Sequence, residues 1–143
     1  MTRILVVEDS PTQAIELQYL LESAGFEVIV ARDGSSGFER CKEPAIDVVL
    51  SDVVMPGMDG YELCKRIKAE SATANLPVML LTSLSDPMDI IRGLECGADN
   101  FLTKPYDGAY LIGRVRRLLE NRALRGTVRV DSSAAKSSGS MWS

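Results

Sequence analysis

The sequence predicts an α/β chain, a parallel five-stranded sheet covered by helices on both faces. Three observations carry that expectation. Short apolar runs without alternation recur at residues 4–7, 48–50, 78–81 and 101–102, as buried parallel strands require. Between them lie segments with apolar residues at helical spacing, opened by cap residues and closed by glycine or proline. The two kinds of segment alternate five times with short links, the pattern of right-handed strand–helix–strand crossovers.

Strand 1 covers about residues 3–8. Ser10 caps the first helix, with Pro11 in the first turn, where its missing N–H is harmless. Ala14, Leu17, Leu21 and Ala24 form its apolar stripe, and Gly25 ends it. Strand 2 is 26–31. Asp33 caps a second helix to about Lys42, and Pro44 stops it. Strand 3 is 47–52. The loop 53–58 carries the breakers Pro56 and Gly57, and Asp59 caps a third helix to about Glu70. Strand 4 is 77–82. A fourth helix starts near Ser85, Asp86 and Pro87 and ends at Gly97. Strand 5 is 100–103. Helix 5 runs over about 107–124 and buries Leu111, Val115, Leu118 and Leu119. Five strands so wound make a flavodoxin-like doubly wound sheet. After Gly126 the residues turn small, polar and aperiodic. The expected organisation is one domain over 1–125 and a disordered tail over 126–143, either a linker remnant or an expression scar.

The bulk numbers fit this plan. A chain of 143 residues suits one domain with a substantial core, and 45% hydrophobic with 25% charged residues is ordinary for a globular protein. The net charge of −4 gives no reason to expect nucleic-acid binding. No apolar stretch approaches the roughly 20 residues that span a bilayer. The amino terminus enters a strand without a signal-peptide pattern, so a cytoplasmic location is expected. Cys41, Cys64 and Cys96 are odd in number and lack CxxC spacing, which suits small apolar groups in a reducing compartment. There is no histidine. That excludes a Ser-His-Asp triad, a histidine-ligated metal and a phosphohistidine formed within this chain.

The strand ends carry the chemistry. Open α/β sheets bind ligands beyond the carboxyl ends of their strands. There the sequence places Glu8 and Asp9, Asp52, Thr82 with Ser83, and Lys104 before Pro105. An acidic flank for helix 1 would account for one of Glu8 and Asp9 but less well for two directly after buried aliphatics, which favours a metal site. Asp59 already serves as the helix cap, so Asp52 is free to attack phosphorus as a carboxylate nucleophile. Hydroxyls at strand ends are common, but Thr82 opposite Asp52 can donate to a phosphoryl oxygen. Lysine is usually a solvated residue. Lys104 instead follows a buried strand, and its ammonium can pair with the acids or with phosphate. A cis Lys104–Pro105 bond is possible.

These residues, together with the run 53–60 after Asp52, resemble the response-regulator receiver domains, the CheY-like family of two-component signalling. The resemblance covers about residues 2–124, with four motifs in order and at family spacing. It implies the strand order 2-1-3-4-5. It implies that Asp52 accepts a phosphoryl group from a phosphohistidine on a partner histidine kinase or phosphotransfer protein. It implies that Glu8, Asp9, Asp52 and the backbone carbonyl of Val54 hold Mg²⁺, for which Mn²⁺ can substitute. Thr82 and Lys104 would contact the phosphoryl oxygens, and Phe101 would be the switch aromatic that turns inward with Thr82. The output would be the helix 4–strand 5–helix 5 face, acting on a downstream protein effector or a fused output module, with a homodimer through that face possible. Such a domain catalyses its own phosphorylation and hydrolysis, yet is a switch rather than a metabolic enzyme, with no direct contact to nucleic acid or membrane expected. Val54 and Leu84 stand where the family tunes phosphoryl lifetime, and both are apolar.

Two rivals share parts of this pattern. A flavodoxin-type FMN binder needs a hydroxyl- and glycine-rich phosphate loop after strand 1, where Glu8 and Asp9 would repel the phosphate. A haloacid-dehalogenase-type phosphatase carries a second acid two residues after its nucleophile, where this chain has Val54. The basic residues of helix 5 make a solvated face or a docking patch. A single-domain regulator and a piece of a longer signalling protein remain equal alternatives.

Overall fold

A computed structural model describes residues 1–84 and 86–131, with 123–131 given as helix backbone only. Five strands and five helices alternate along the chain: β1 (Arg3–Val7), α1 (Pro11–Ser23), β2 (Glu27–Ala31), α2 (Gly34–Cys41), β3 (Val48–Asp52), α3 (Gly60–Ala69), β4 (Val78–Thr82), α4 (Pro87–Glu95), β5 (Asn100–Thr103) and α5 (Gly108–Asp131). All pairings are parallel, in the order β2-β1-β3-β4-β5. The predicted fold class and strand order are those observed.

Local chemistry sets the helix starts. Ser10, Asp33 and Asp59 each accept a backbone N–H three residues on, from Gln13, Ser36 and Glu62. Asp86 accepts the N–H of Met88 at the head of α4. Each cap satisfies an amide that the first helical turn leaves without a partner. Ser85, also expected there, lies outside the described residues.

Strand periodicity divides the core into two layers. Ile4, Val6, Val48, Leu50, Met79 and Leu81 pack with Leu17 and Leu21 of α1 and Leu111 and Val115 of α5. Leu5, Val7, Val49, Val78 and Leu80 pack on the other side with Cys41 of α2, with Leu63, Cys64 and Ile67 of α3, and with Phe101. The interior strands are buried on both faces, which explains their unbroken apolar runs.

One ion pair pins the start of β4. An Asp99 carboxylate oxygen accepts from Lys68 Nζ at 2.7 Å and from the Val78 N–H at 2.8 Å. Lys68 Nζ also donates to the Leu76 carbonyl at 2.7 Å. Asp99→Ala would leave the Val78 amide and the ammonium under-partnered. Charged hydrogen bonds of this kind are worth about 1.5–3 kcal/mol each, so a loss of about 2 kcal/mol in urea unfolding is expected. A midpoint equal to the parent's would mean that water replaces both bonds.

Helix 5 differs from expectation at its end. It continues to Asp131 rather than stopping near Leu124, so residues 126–131 of the expected tail are helical. A glycine inside a helix costs only about 1 kcal/mol relative to alanine. Gly126 therefore does not stop a helix already nucleated by its packed first turns. The remainder of the expected tail, 132–143, lies outside the described residues.

Candidate functional site

The chain reverses its direction of winding between β1 and β3, and the crevice at such a point lies beyond the strands' carboxyl ends. Glu8 and Asp9 follow β1 there, and Asp52 ends β3. Ligand oxygens of these three carboxylates lie within 4.8 Å of one another. Glu8 is buried, at 4% exposure, while Asp9 and Asp52 are half-buried. The Glu8 N–H donates to the Ala31 carbonyl at 3.0 Å, and its carboxylate accepts the Ser10 N–H at 3.1 Å. Burial pushes the Glu8 carboxyl above its ordinary range; the Asp52 charge adds to this, and the Ser10 amide and Lys104 oppose it.

Strand periodicity sorts the remaining residues. Glu8, Asp52 and Lys104 continue the alternation of Val6, Leu50 and Leu102, which face α1 and α5. Lys104 Nζ accordingly reaches Glu8 Oε1 at 3.4 Å and Asp52 Oδ1 at 3.5 Å, and it also donates to Gln13 Oε1. Thr82 continues the alternation of Val78 and Leu80, which face the α2–α3 layer. Fully buried, its Oγ1 accepts the Leu84 N–H at 3.0 Å, while its carbonyl accepts the Lys104 N–H at 2.7 Å. The Lys104–Pro105 bond is cis.

Phe101 belongs to the same layer as Thr82 and lies against α4. A Cβ on Gly93 would sit 2.6 Å from the Phe101 ring, so a larger residue here would have to push the ring aside. The Val54 side chain is 57% exposed, and Leu84 is half-buried. A cleft of about 470 Å³ adjoins the acids, lined by Glu8, Gln13, Leu17, Lys104 and Tyr106. Burial raises the Tyr106 hydroxyl above its usual range, with the Glu8 charge second.

Two participants were not legible in the sequence. Gln13 holds Lys104 from the first turn of α1. Arg32 donates to the Asp9 carbonyl at 2.9 Å and ties β2 to the acidic turn. Gln13 lies one turn beyond Asp9, a spacing that marks the same helix end. Nothing local marks Arg32, whose position depends on the pairing of β1 with β2.

Three hard oxygen donors with a nearby ammonium fit a small divalent cation and a phosphoryl group. A profile of the response regulator receiver domain matches residues 4–116. The chain belongs to this family. The receiver domain is 43% identical over 118 residues to the transcriptional regulatory protein CseB of Streptomyces coelicolor, covering 82% of this chain and 49% of that protein. It spans about half the length of the curated relatives it matches. Among solved structures it is similar to the signal receiver domain of a signal transduction histidine kinase from Syntrophus aciditrophicus. That match has 45% identity and a TM-score of 0.80, covering 85% of this chain and 92% of the other. The receiver domain of sensor histidine kinase PA1611 from Pseudomonas aeruginosa matches at 28% identity and a TM-score of 0.78, over 83% of this chain and 98% of the other. That protein has a magnesium ion coordinated in its active-site cleft. Among the described residues no helix is long and apolar enough to cross a membrane.

Proposed function

We propose that Asp52 is the phosphoacceptor of this receiver domain, which takes up residues 1–125 and works in two-component signalling. The observation that carries this reading is the convergence of Glu8, Asp9 and Asp52 within 4.8 Å, with the Lys104 ammonium on two of them. A carboxylate oxygen of Asp52 attacks phosphorus, an acyl phosphate forms, and the bond to the donor's imidazole breaks. These 143 residues contain no histidine, so the phosphohistidine lies outside them, on a histidine kinase or phosphotransfer protein. Glu8, Asp9, Asp52 and the Val54 carbonyl would hold Mg²⁺ or Mn²⁺, which supplies charge neutralisation for the carboxylates and the incoming phosphoryl group. Lys104 exchanges its carboxylate partners for a phosphoryl oxygen. Thr82 gives up the Leu84 amide and donates to a second oxygen.

That exchange links the site to the output face. Thr82 and Phe101 share one layer, and Phe101 rests on α4. Releasing the Leu84 amide frees the loop that leads into α4, and Phe101 turns inward as Thr82 leaves. Met88, Ile90, Ile91 and Leu94 are exposed on α4, and the α4–β5–α5 surface then receives a downstream effector, a fused output module or a second receiver domain. The domain works in the cytoplasm as a switch, with self-phosphorylation by small donors and its own hydrolysis as its catalytic activities.

Intact-mass spectrometry after incubation with acetyl phosphate or phosphoramidate tests this. One phosphoryl group, dependent on Mg²⁺ and mapped to residue 52, is the expected result. An adduct elsewhere, or uptake indifferent to Mg²⁺, would overturn it. The same assay reads lifetime. Neither Val54 nor Leu84 can orient an attacking water, so slow loss of the phosphoryl group is expected. Val54→Asn with Leu84→Glu should shorten the half-life several-fold, and an unchanged half-life would remove these positions from the account.

A further inference from the structure

We propose that Cys64 and Cys96 form an oxidisable pair, which a hydroperoxide joins in a disulfide that fastens the C-terminal end of α4 to α3. Cys64 lies on α3 and is fully buried; Cys96 caps α4 and is 5% exposed. Cys64 Sγ donates to the carbonyl oxygen of Cys96 itself at 3.5 Å, which brings the α3 thiol onto the residue that carries the second sulfur. Cys96 Sγ also lies 3.0 Å from the Gly93 carbonyl oxygen. A disulfide needs Cα atoms within about 7 Å, a separation that a thiol resting on the other cysteine's own carbonyl oxygen allows.

The two sulfurs are not equivalent. The neighbouring Cys64 thiol, aided by the Ala98 amide and the Lys65 charge, draws the Cys96 thiol below its ordinary range despite burial. The Cys96 side chain, together with burial, holds Cys64 well above it. Cys96 is the nucleophile of the pair, being the sulfur that lines a cavity and that a small oxidant reaches first. It borders an open cavity of about 410 Å³ shared with Glu62, Lys65, Arg92 and Glu95, which gives a small oxidant a route. The helix itself is held lightly, with Gly93 its buried residue and Met88, Ile91 and Leu94 exposed. Segments with so little burial open at low free energy. Cys41 is the contrast: burial pushes its thiol up to about 11, and its Sγ donates to the Phe38 carbonyl instead.

The chemistry balances with a hydroperoxide as the oxidant. The Cys96 thiolate attacks one peroxide oxygen, the O–O bond breaks, and water or an alcohol leaves with a proton, giving a sulfenic acid. Cys64 then attacks that sulfur. The S–S bond forms, the S–O bond breaks, and the hydroxyl leaves as water with the Cys64 proton. Two thiols lose two electrons in all, and the peroxide gains them.

The full chain would be exposed to hydrogen peroxide, alkylated with iodoacetamide in denaturant, and peptide-mapped without reductant. An intramolecular Cys64–Cys96 link with Cys41 still alkylated is expected. The link should persist in Cys41→Ser and vanish in Cys64→Ser, where a dimedone adduct on Cys96 should replace it. Amide exchange over 87–96 should slow several-fold in the linked form. Alkylation of both cysteines after a dose that oxidises the exposed Met88 would overturn the proposal. So would a link between chains, or unchanged exchange across α4.

Discussion

Asp52→Asn is expected to bring Mg²⁺-dependent phosphoryl incorporation below detection while leaving the chain folded. The amide has no anionic oxygen to attack phosphorus and supplies no charge to a cation. Folding should not suffer, because Asp52 sits in a cluster whose charges repel. Glu8 is buried beside it, and the Asp52 charge contributes to the raised Glu8 carboxyl. Removing one carboxylate relieves that repulsion at the cost of the 3.5 Å contact with Lys104, which keeps Glu8 at 3.4 Å. The melting temperature of the metal-free protein should therefore stay level or rise. Mg²⁺ should raise it for the parent and scarcely at all for the variant, since a ligand stabilises only what binds it. Wild-type incorporation in Asp52→Asn would move the phosphoacceptor to another residue. A collapsed melting temperature would instead give Asp52 a structural role.

Gly60→Ala should damage stability and site together. A Cβ at position 60 would lie 2.4 Å from the Asp52 carbonyl oxygen and 2.8 Å from Val53 Cα. Both obstacles are backbone, so no side chain can swing aside. The Gly60 N–H also donates to the Val53 carbonyl at 2.8 Å, which closes the loop between β3 and α3. Overpacking typically costs about 1–3 kcal/mol, occasionally more, and a contact this short against main chain belongs at or above the upper end. The strain is relieved only by separating α3 from the end of β3, which carries Asp52 with it. A displacement of about 1 Å at a reacting group can cost about 100-fold in rate. Chemical denaturation and phosphoryl-uptake rates would read the two effects. Parent-like values in both would show that the loop tolerates a methyl group and that Gly60 does not position Asp52.

The fold was largely legible because its signals are local. Unbroken apolar runs mark strands buried on both faces, and Ser10, Asp33 and Asp59 mark helix starts through bonds to amides three residues away. The far end of α5 was misread for the complementary reason. Gly126 is only a weak stop signal, and no local feature weighs it against a helix whose first turns are packed on the sheet.

The residue types of the candidate site were also legible, since acids, a hydroxyl and a lysine follow the strands at fixed points of the sequence. What the sequence alone determined is which groups stand at the strand ends. It could not determine which of them touch. Strand order and register decided that: they bring Lys104 onto Glu8 and Asp52, and they turn Thr82 toward the opposite layer, where Phe101 rests on Gly93. They also brought Gln13 to Lys104 and Arg32 to the Asp9 carbonyl, and set Cys64 against Cys96. The physical reason is range. Caps and apolar periods act over a few residues, whereas most of these contacts join positions tens of residues apart and arise when the hydrophobic layers lock the sheet and helices into one register.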